Sequence, residues 1–431
     1  MKHAYSYILS LVVATSVLMV SCSNDDVSSE GTNTPIIFGA QVEGHSTRAG
    51  LLGVMDNTTL ATTGFGVFSY STSSDYDPWL NNTTKISFIE GMSGADLTDV
   101  HIHPSNWTYG TTQKDWTKNT KISFLAYAPY VAAGASGAGI TSVGGTSLGA
   151  TTVGYQVATK PSESVDLLWG INGTTGKPWI DATAEKTGGL ILFTFHHALA
   201  AIGFHVQAIV DKDNNLSDLG DKSTTGLLGT DCKVTLKSIT LKPSSGNFYG
   251  SGVLNLNNSD KYLPNWTTKS GTIAELKLDN EAGGNYEDID AVLSDQGDKK
   301  PSGEGGMTNS GITETANFQT VIAKSGGKEQ FFMLIPDAAK DYTATIEYYV
   351  TYKTSNDTYK RLDYTGVNAG TANITGLALQ AGIKYYLNFV IGLTTLKLNV
   401  TATDWSETSQ DVNVTIEHGT SANSSLTKER P

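Results

Sequence analysis

Chemistry in this chain would have to be built from eight histidines, two cysteines and seven tryptophans, together with its carboxylates. His101 and His103 share one face of an extended segment, which is the start of a metal pair. Zinc takes three or four protein ligands and no third stands nearby, so they are expected as surface histidines. His196 and His197 point to opposite faces of a strand and cannot chelate together; one is expected as a hydrogen-bonded core histidine and the other as exposed. Asp211-Lys212-Asp213-Asn214-Asn215 begins like a calcium loop, but Leu216 stands where the glycine belongs and no glutamate closes it. A polar linker is expected there. The glycine-rich residues 132–154 lack Gly-Lys-Ser/Thr and follow no βαβ pattern, so they read as a loop with no phosphate site. Cys232 has no CxxC partner and reads as a small, semi-buried side chain. Trp79, Trp107, Trp116, Trp169, Trp179, Trp266 and Trp405 could stack on sugars where exposed; at least half are expected to pack in cores or at edges. No paired acid and base and no activated nucleophile remain, so neither enzymatic activity nor a cofactor or metal is expected.

The elements that carry these residues follow from composition. A chain of 431 residues exceeds what one hydrophobic core usually supports, which predicts two domains. Charged residues are 16% and tyrosine, at 19, leads the aromatics, a mixture suited to short strands and polar turns. The formal charge of −13 argues against nucleic acid or an anionic lipid surface as partner, because both need a basic face. Cys22 and Cys232 could form one bridge at most.

At the amino terminus, Lys2 and His3 precede a short apolar run over residues 8–20, placed like the core of a signal peptide and too short to span a bilayer. It ends Met19-Val20-Ser21-Cys22, which resembles a bacterial lipobox and implies cleavage before Cys22 and lipidation of its thiol. An ordinary signal peptide with an incidental cysteine is the other reading. Residues 23–35 are polar and read as a tether. Then Ile36, Phe38, Ala40 and Val42 alternate with Ile37, Gly39 and Gln41, the period of a strand with one buried face. Thr47-Arg48-Ala49-Gly50 follows at once, a single arginine among small residues. A strand followed directly by a protease-accessible arginine makes sense if the strand is to be removed.

Further on, residues 64–70 read as a strand, and 121–130 as an inner strand that Pro129 stops. Residues 190–206 are the longest apolar stretch after the signal; they read as one long or bulged strand, with a helical turn at Ala198 to Ala201 as the alternative. Residues 211–230 are the best linker, and 280–309 a long loop. Residues 233–242 alternate and then shift phase near Ser238, as a bulge would. Strands follow at 331–335, 343–352, 383–391 and 395–402, with Trp405 closing the run. The spacing signals two all-β sandwiches in series. Past a polar spacer, Val412, Val414 and Ile416 give an isolated, projecting strand with one apolar face and no apolar cluster nearby to pair it.

These residues resemble the fimbrillins of the Bacteroidales. The likeness rests on the lipobox, on Thr47-Arg48-Ala49 with the strand before it, and on Phe124-Leu125-Ala126-Tyr127-Ala128-Pro129. It continues through Val165-Asp166-Leu167-Leu168, Phe193-Thr194-Phe195-His196-His197-Ala198-Leu199, Lys384-Tyr385-Tyr386-Leu387 and Thr401-Ala402-Thr403-Asp404-Trp405. The resemblance implies two tandem transthyretin-like β-sandwich domains. The divisions are a signal peptide over 1–21, a propeptide with the removable strand over 22–48, sandwiches over 49–215 and 216–405, and a tail over 406–431. It also implies export as an outer-membrane lipoprotein anchored on Cys22, cleavage between Arg48 and Ala49 by an arginine-specific surface protease, and loss of the lipid with the propeptide. Ile36, Phe38, Ala40 and Val42 would leave, and a strand from another pilin subunit would fill the groove by donor-strand exchange, building a surface fimbrium. Val412, Val414 and Ile416 are the candidate donor strand. Places in the fibre as stalk, tip or anchor pilin stay open, as does a monomeric surface lipoprotein that captures glycans or host ligands for cell adhesion.

Overall fold

In the computed structural model, the described residues are 34–43, 51–52, 54–71, 85–88, 107–109, 114–116, 121–132, 134–145, 147–208, 232–258, 260–279, 319–320, 329–353, 359–391, 396–404, 409–410 and 416–418. They are mostly strand, with two short α-helices, Asn57–Thr63 and Ala184–Thr187. The expected all-β class is what the β-branched and aromatic alternation builds.

An eight-stranded sheet dominates the amino-terminal half. Its strands run in the order Ile37–Val42, Leu190–His197, Leu168–Asn172, Ile122–Ala128, Phe65–Ser71, Lys85–Phe88 and Trp107–Tyr109, with Trp179–Ala182 pairing Ile122–Ala128 off that path. Every residue of Ile122–Ala128 is buried, as its two-sided apolar sequence requires. Phe124 and Ala126 face one core with Phe65, Val67, Phe193 and Phe195. Leu125 and Tyr127 face the other, with Phe68, Trp169 and Ile171.

That second core is shared with a four-stranded sheet in the order Asn265–Ser270, Ser251–Asn255, Thr152–Gln156 and Ile140–Gly144. The stretch 132–154, read as a loop, therefore holds one whole strand and the start of another. Ile140, Val143 and Val153 are buried and supply an apolar face that the glycines and hydroxyl residues around them obscure in the sequence. The sheet also joins strands from both sides of residue 215, because Ser251–Asn255 is antiparallel to Thr152–Gln156.

The long apolar stretch is divided. Leu190–His197 belongs to the first sheet, and Ala200–Ala208 lies parallel to Ile383–Ile391 in a different, six-stranded sheet. Between them Ala198 donates its N–H to Leu167 O at 2.8 Å. Neither one continuous strand nor a helical turn forms there; the two-residue break lets a single apolar run serve two sheets. A second six-stranded sheet contains Leu276–Asp279, Cys232–Pro243, Asp337–Lys353, Gly370–Leu379 and Ile416–His418. Its register shifts between Leu236 and Ser238, the bulge that the change of phase at Ser238 predicts. Tyr342, Ala344, Ile346 and Tyr348 line its buried face.

Candidate functional site

The site is the first strand, Ile37–Val42, and the seat it occupies. It lies parallel to Leu190–His197 in six registered pairs, from Ile37–Leu190 to Val42–Phe195. Just before it, the chain reaches the far end of the same sheet. Ile36 N donates to Lys114 O at 2.8 Å, Trp116 N to Thr34 O at 2.7 Å, and the Tyr109 hydroxyl to Ile36 O at 2.8 Å. The first strand thus closes the sheet around its core.

Period two decides which side chains enter that core. Ile36, Phe38, Ala40 and Val42 are all buried, none more than 4% exposed. The Phe38 ring packs edge-on to Tyr109 at 5.3 Å and to Phe124 at 5.7 Å, and stacks on Phe193 at 6.2 Å. Burying Ile36, Phe38 and Val42 contributes ~1.5–3 kcal/mol each, and the Ala40 methyl ~0.8 kcal/mol. Removing the strand would wet this surface and leave one backbone edge of Leu190–His197 unpaired.

Two residues of the outward face, Gln41 and Glu43, are polar. Gln41 donates to Thr194 Oγ1 at 3.2 Å. Glu43 donates its N–H to Phe195 O at 2.8 Å, and its carboxylate pairs with His196 Nδ1. His196 is only 6% exposed, and its Nε2 has no hydrogen-bond partner. Gln41, Glu43, Thr194, Trp179, Ile180 and Tyr262 line an open groove of about 1080 Å³ beside the strand.

On the other side of residues 44–50 the chain is held separately. Asp56 caps the helix Asn57–Thr63, its carboxylate accepting from Thr59 N at 2.7 Å. Met55 N donates to the buried Asp166 carboxylate at 3.2 Å, and the same oxygen meets His197 Nδ1 at 2.5 Å. The two sides touch where Val42 N donates to Asn57 Oδ1 at 2.8 Å.

Neither His196 nor His197 is exposed, in contrast to the expectation for one of them. Tyr262, from outside the sheet, covers the His196 face with its ring 5.5 Å from that of His196, and Trp169 on the neighbouring strand lies 6.3 Å away. Their acid partners, Glu43 and Asp166, are far off in sequence, and nothing in local spacing marks them. Among the tryptophans, Trp107, Trp116 and Trp169 are buried and Trp179 and Trp266 pack partly against the cores, as expected for at least half of the seven. Cys22, Arg48, Ala49, Trp79, His101, His103, Trp405, Val412, Val414 and the calcium-like segment at 211–215 lie outside the described residues. So do the linker stretch at 211–230 and the loop stretch at 280–309. Ile416 is described: Ile416–His418 lies antiparallel to Gly370–Leu379 in its own chain, with Ile416 opposite Ile374.

No protein-family model matches the chain. The fimbrium subunit Fim1C of Phocaeicola vulgatus is 25% identical over 254 residues, 58% of this chain and 60% of that protein. The matched region thus spans less than two thirds of that relative. A crystal structure of a fimbrial protein from Bacteroides vulgatus superposes with a TM-score of 0.55 at 19% identity, covering 86% of this chain and 99% of the other. Sequence similarity to a fimbrium subunit, joined to the fold of a fimbrial protein, supports the resemblance to the fimbrillins of the Bacteroidales that the motifs carry.

Proposed function

We propose that this chain is the precursor of a structural subunit of a surface fimbrium. It is exported as a lipoprotein on Cys22, cut between Arg48 and Ala49 by an arginine-specific protease, and polymerised through a strand supplied by a neighbouring pilin. The observation that carries this reading is the first strand itself. It closes the sheet around a core, it sits at one edge of the ladder, and Arg48 follows it within a few residues. Once cut, it is retained only by non-covalent contacts, and a donor strand of the same period regains both the ladder and the buried anchors. Val412, Val414 and Ile416 offer that period. The division into sandwiches over 49–215 and 216–405 belongs to the same proposal, with Ser251–Asn255 exchanged into a sheet of the first and Ala200–Ala208 into a sheet of the second.

The test is the amino-terminal sequence of the surface protein, with its size on a gel run without boiling. Ala49 as first residue, with a ladder of heat-dissociable multimers, supports the proposal. Arg48→Ala is expected to abolish the ladder; a variant that still assembles overturns it. A blocked Cys22 and a single band would favour instead an anchor subunit or a monomeric lipoprotein, and a ligand of the latter would take the open groove beside Tyr262, 46% exposed, and Ile180, 45% exposed.

A further inference from the structure

Strand exchange, on which this inference rests, leaves the register of the incoming strand undefined, and one polar pair in the seat defines it. Loss of residues before Ala49 takes away Glu43, the partner of His196 Nδ1. His196 stays behind in the wall of the seat, where it borders the open groove and its Nε2 is already without a partner. A carboxylate returned to that place restores the charge-assisted pair on Nδ1. The empty seat therefore favours an occupant that brings a carboxylate to one place.

The tail carries such a carboxylate at the matching spacing. The first strand reads Phe38-Gly39-Ala40-Gln41-Val42-Glu43, and the tail reads Val412-Asn413-Val414-Thr415-Ile416-Glu417. Both show three apolar residues at alternate positions, with a glutamate directly after the last. Both also place an uncharged polar residue before that last apolar one, where Gln41 meets Thr194. We infer that Glu417 of a second copy of this chain takes the place of Glu43 on His196. Val412, Val414 and Ile416 then fall on the seats of Phe38, Ala40 and Val42, and Thr415 lies opposite Thr194, parallel to Leu190–His197.

Two features of the chain agree with this register. Ser409–Gln410 pairs with Leu396–Asp404 of its own sheet, so the inferred donor begins after it, at Asp411. In the same register Gln410 would correspond to Ile36, so the tail fills three seats and the first strand four. Among the described residues, Ile416–His418 makes three registered pairs along Gly370–Leu379 of its own chain, and the seat of the first strand offers six. A donor in the seat completes the ladder and supplies buried anchors.

A slip of one residue would turn every apolar side chain outward, and a slip of two would move Glu417 away from His196. The experiment is cysteine trapping in polymers grown from chains trimmed at Arg48. Thr194→Cys with Thr415→Cys is expected to give a covalent, reducible ladder; Thr194→Cys with Asn413→Cys is expected to give little. Glu417→Gln is expected to assemble but to shed subunits about tenfold faster, the equivalent of ~1.4 kcal/mol. The register is overturned if the Thr194→Cys with Asn413→Cys pair gives the ladder instead, or if Glu417→Gln polymers last as long as the parent. Val414→Asp separates the two levels of the argument. Loss of polymer supports the strand-exchange reading whatever the register, and undiminished assembly sinks that reading and this inference together.

Discussion

The chain on the two sides of Arg48 is fastened by different means. Before it, the first strand is held by a backbone ladder, four apolar side chains and a Glu43–His196 pair whose glutamate is 55% exposed. After it, Met55 and the neighbouring His197 share a fully buried carboxylate, Asp166, and Asp56 caps a helix whose Leu60 is in the core. Adjacent histidines on one strand thus serve opposite ends of the same segment. Contacts of the first kind are generic: any strand with period two and a terminal acid can supply them. Those of the second kind need one carboxylate at one depth, which no incoming strand replaces. The difference suits a piece that leaves and a new terminus that stays.

The largest effect that can break this comparison is at Phe38. Phe38→Ala is expected to cost the uncut chain ~3–5 kcal/mol, because Tyr109, Phe124 and Phe193 surround a cavity they cannot close. Urea unfolding of the precursor reads it, and a loss below about 1 kcal/mol would remove the first strand from the core. Next comes Asp166→Ala. It leaves the Met55 N–H short of an acceptor, removes the carboxylate from His197 Nδ1 and is expected to cost ~2–4 kcal/mol. Unlike the first, this loss should appear equally before and after trimming at Arg48. A loss confined to the precursor would mean that Asp166 fastens the departing side.

Legibility in the sequence follows the range of the interaction. The buried face of the first strand could be read because period two is local: Ile36, Phe38, Ala40 and Val42 announce it by spacing alone. The bulge before Ser238 was legible for the same reason. The strand Ile140–Gly144 was hidden because Gly, Ser and Thr on its outer side dilute the two apolar residues, Ile140 and Val143, that make its face. The partners of the histidines were hidden by distance, since Asp166 and His197 meet across 31 positions and Glu43 meets His196 across far more. Adjacent histidines on a strand do imply opposite faces; that the His196 face is covered as well depends on Tyr262 and Trp169, which no local pattern reveals. The break at Ala198 was hidden for another reason. An apolar run records that both halves are buried, and it does not record that they are buried in different sheets.

The smallest effect sharpens the comparison most, because Asn57 stands on the retained side and touches the departing one. Its Oδ1 accepts from Val42 N at 2.8 Å, while the residue itself begins the helix that Asp56 caps. In the precursor, Asn57→Ala removes that acceptor and is expected to cost about 1 kcal/mol. In the trimmed chain Val42 is gone, and alanine is the better helix former by a few tenths of a kcal/mol. The same substitution should therefore destabilise one form and leave the other unchanged or slightly firmer. Paired urea midpoints of the two forms read the difference directly. Equal losses in both would show that Asn57 serves the helix alone, and that the two sides of Arg48 are not joined through it.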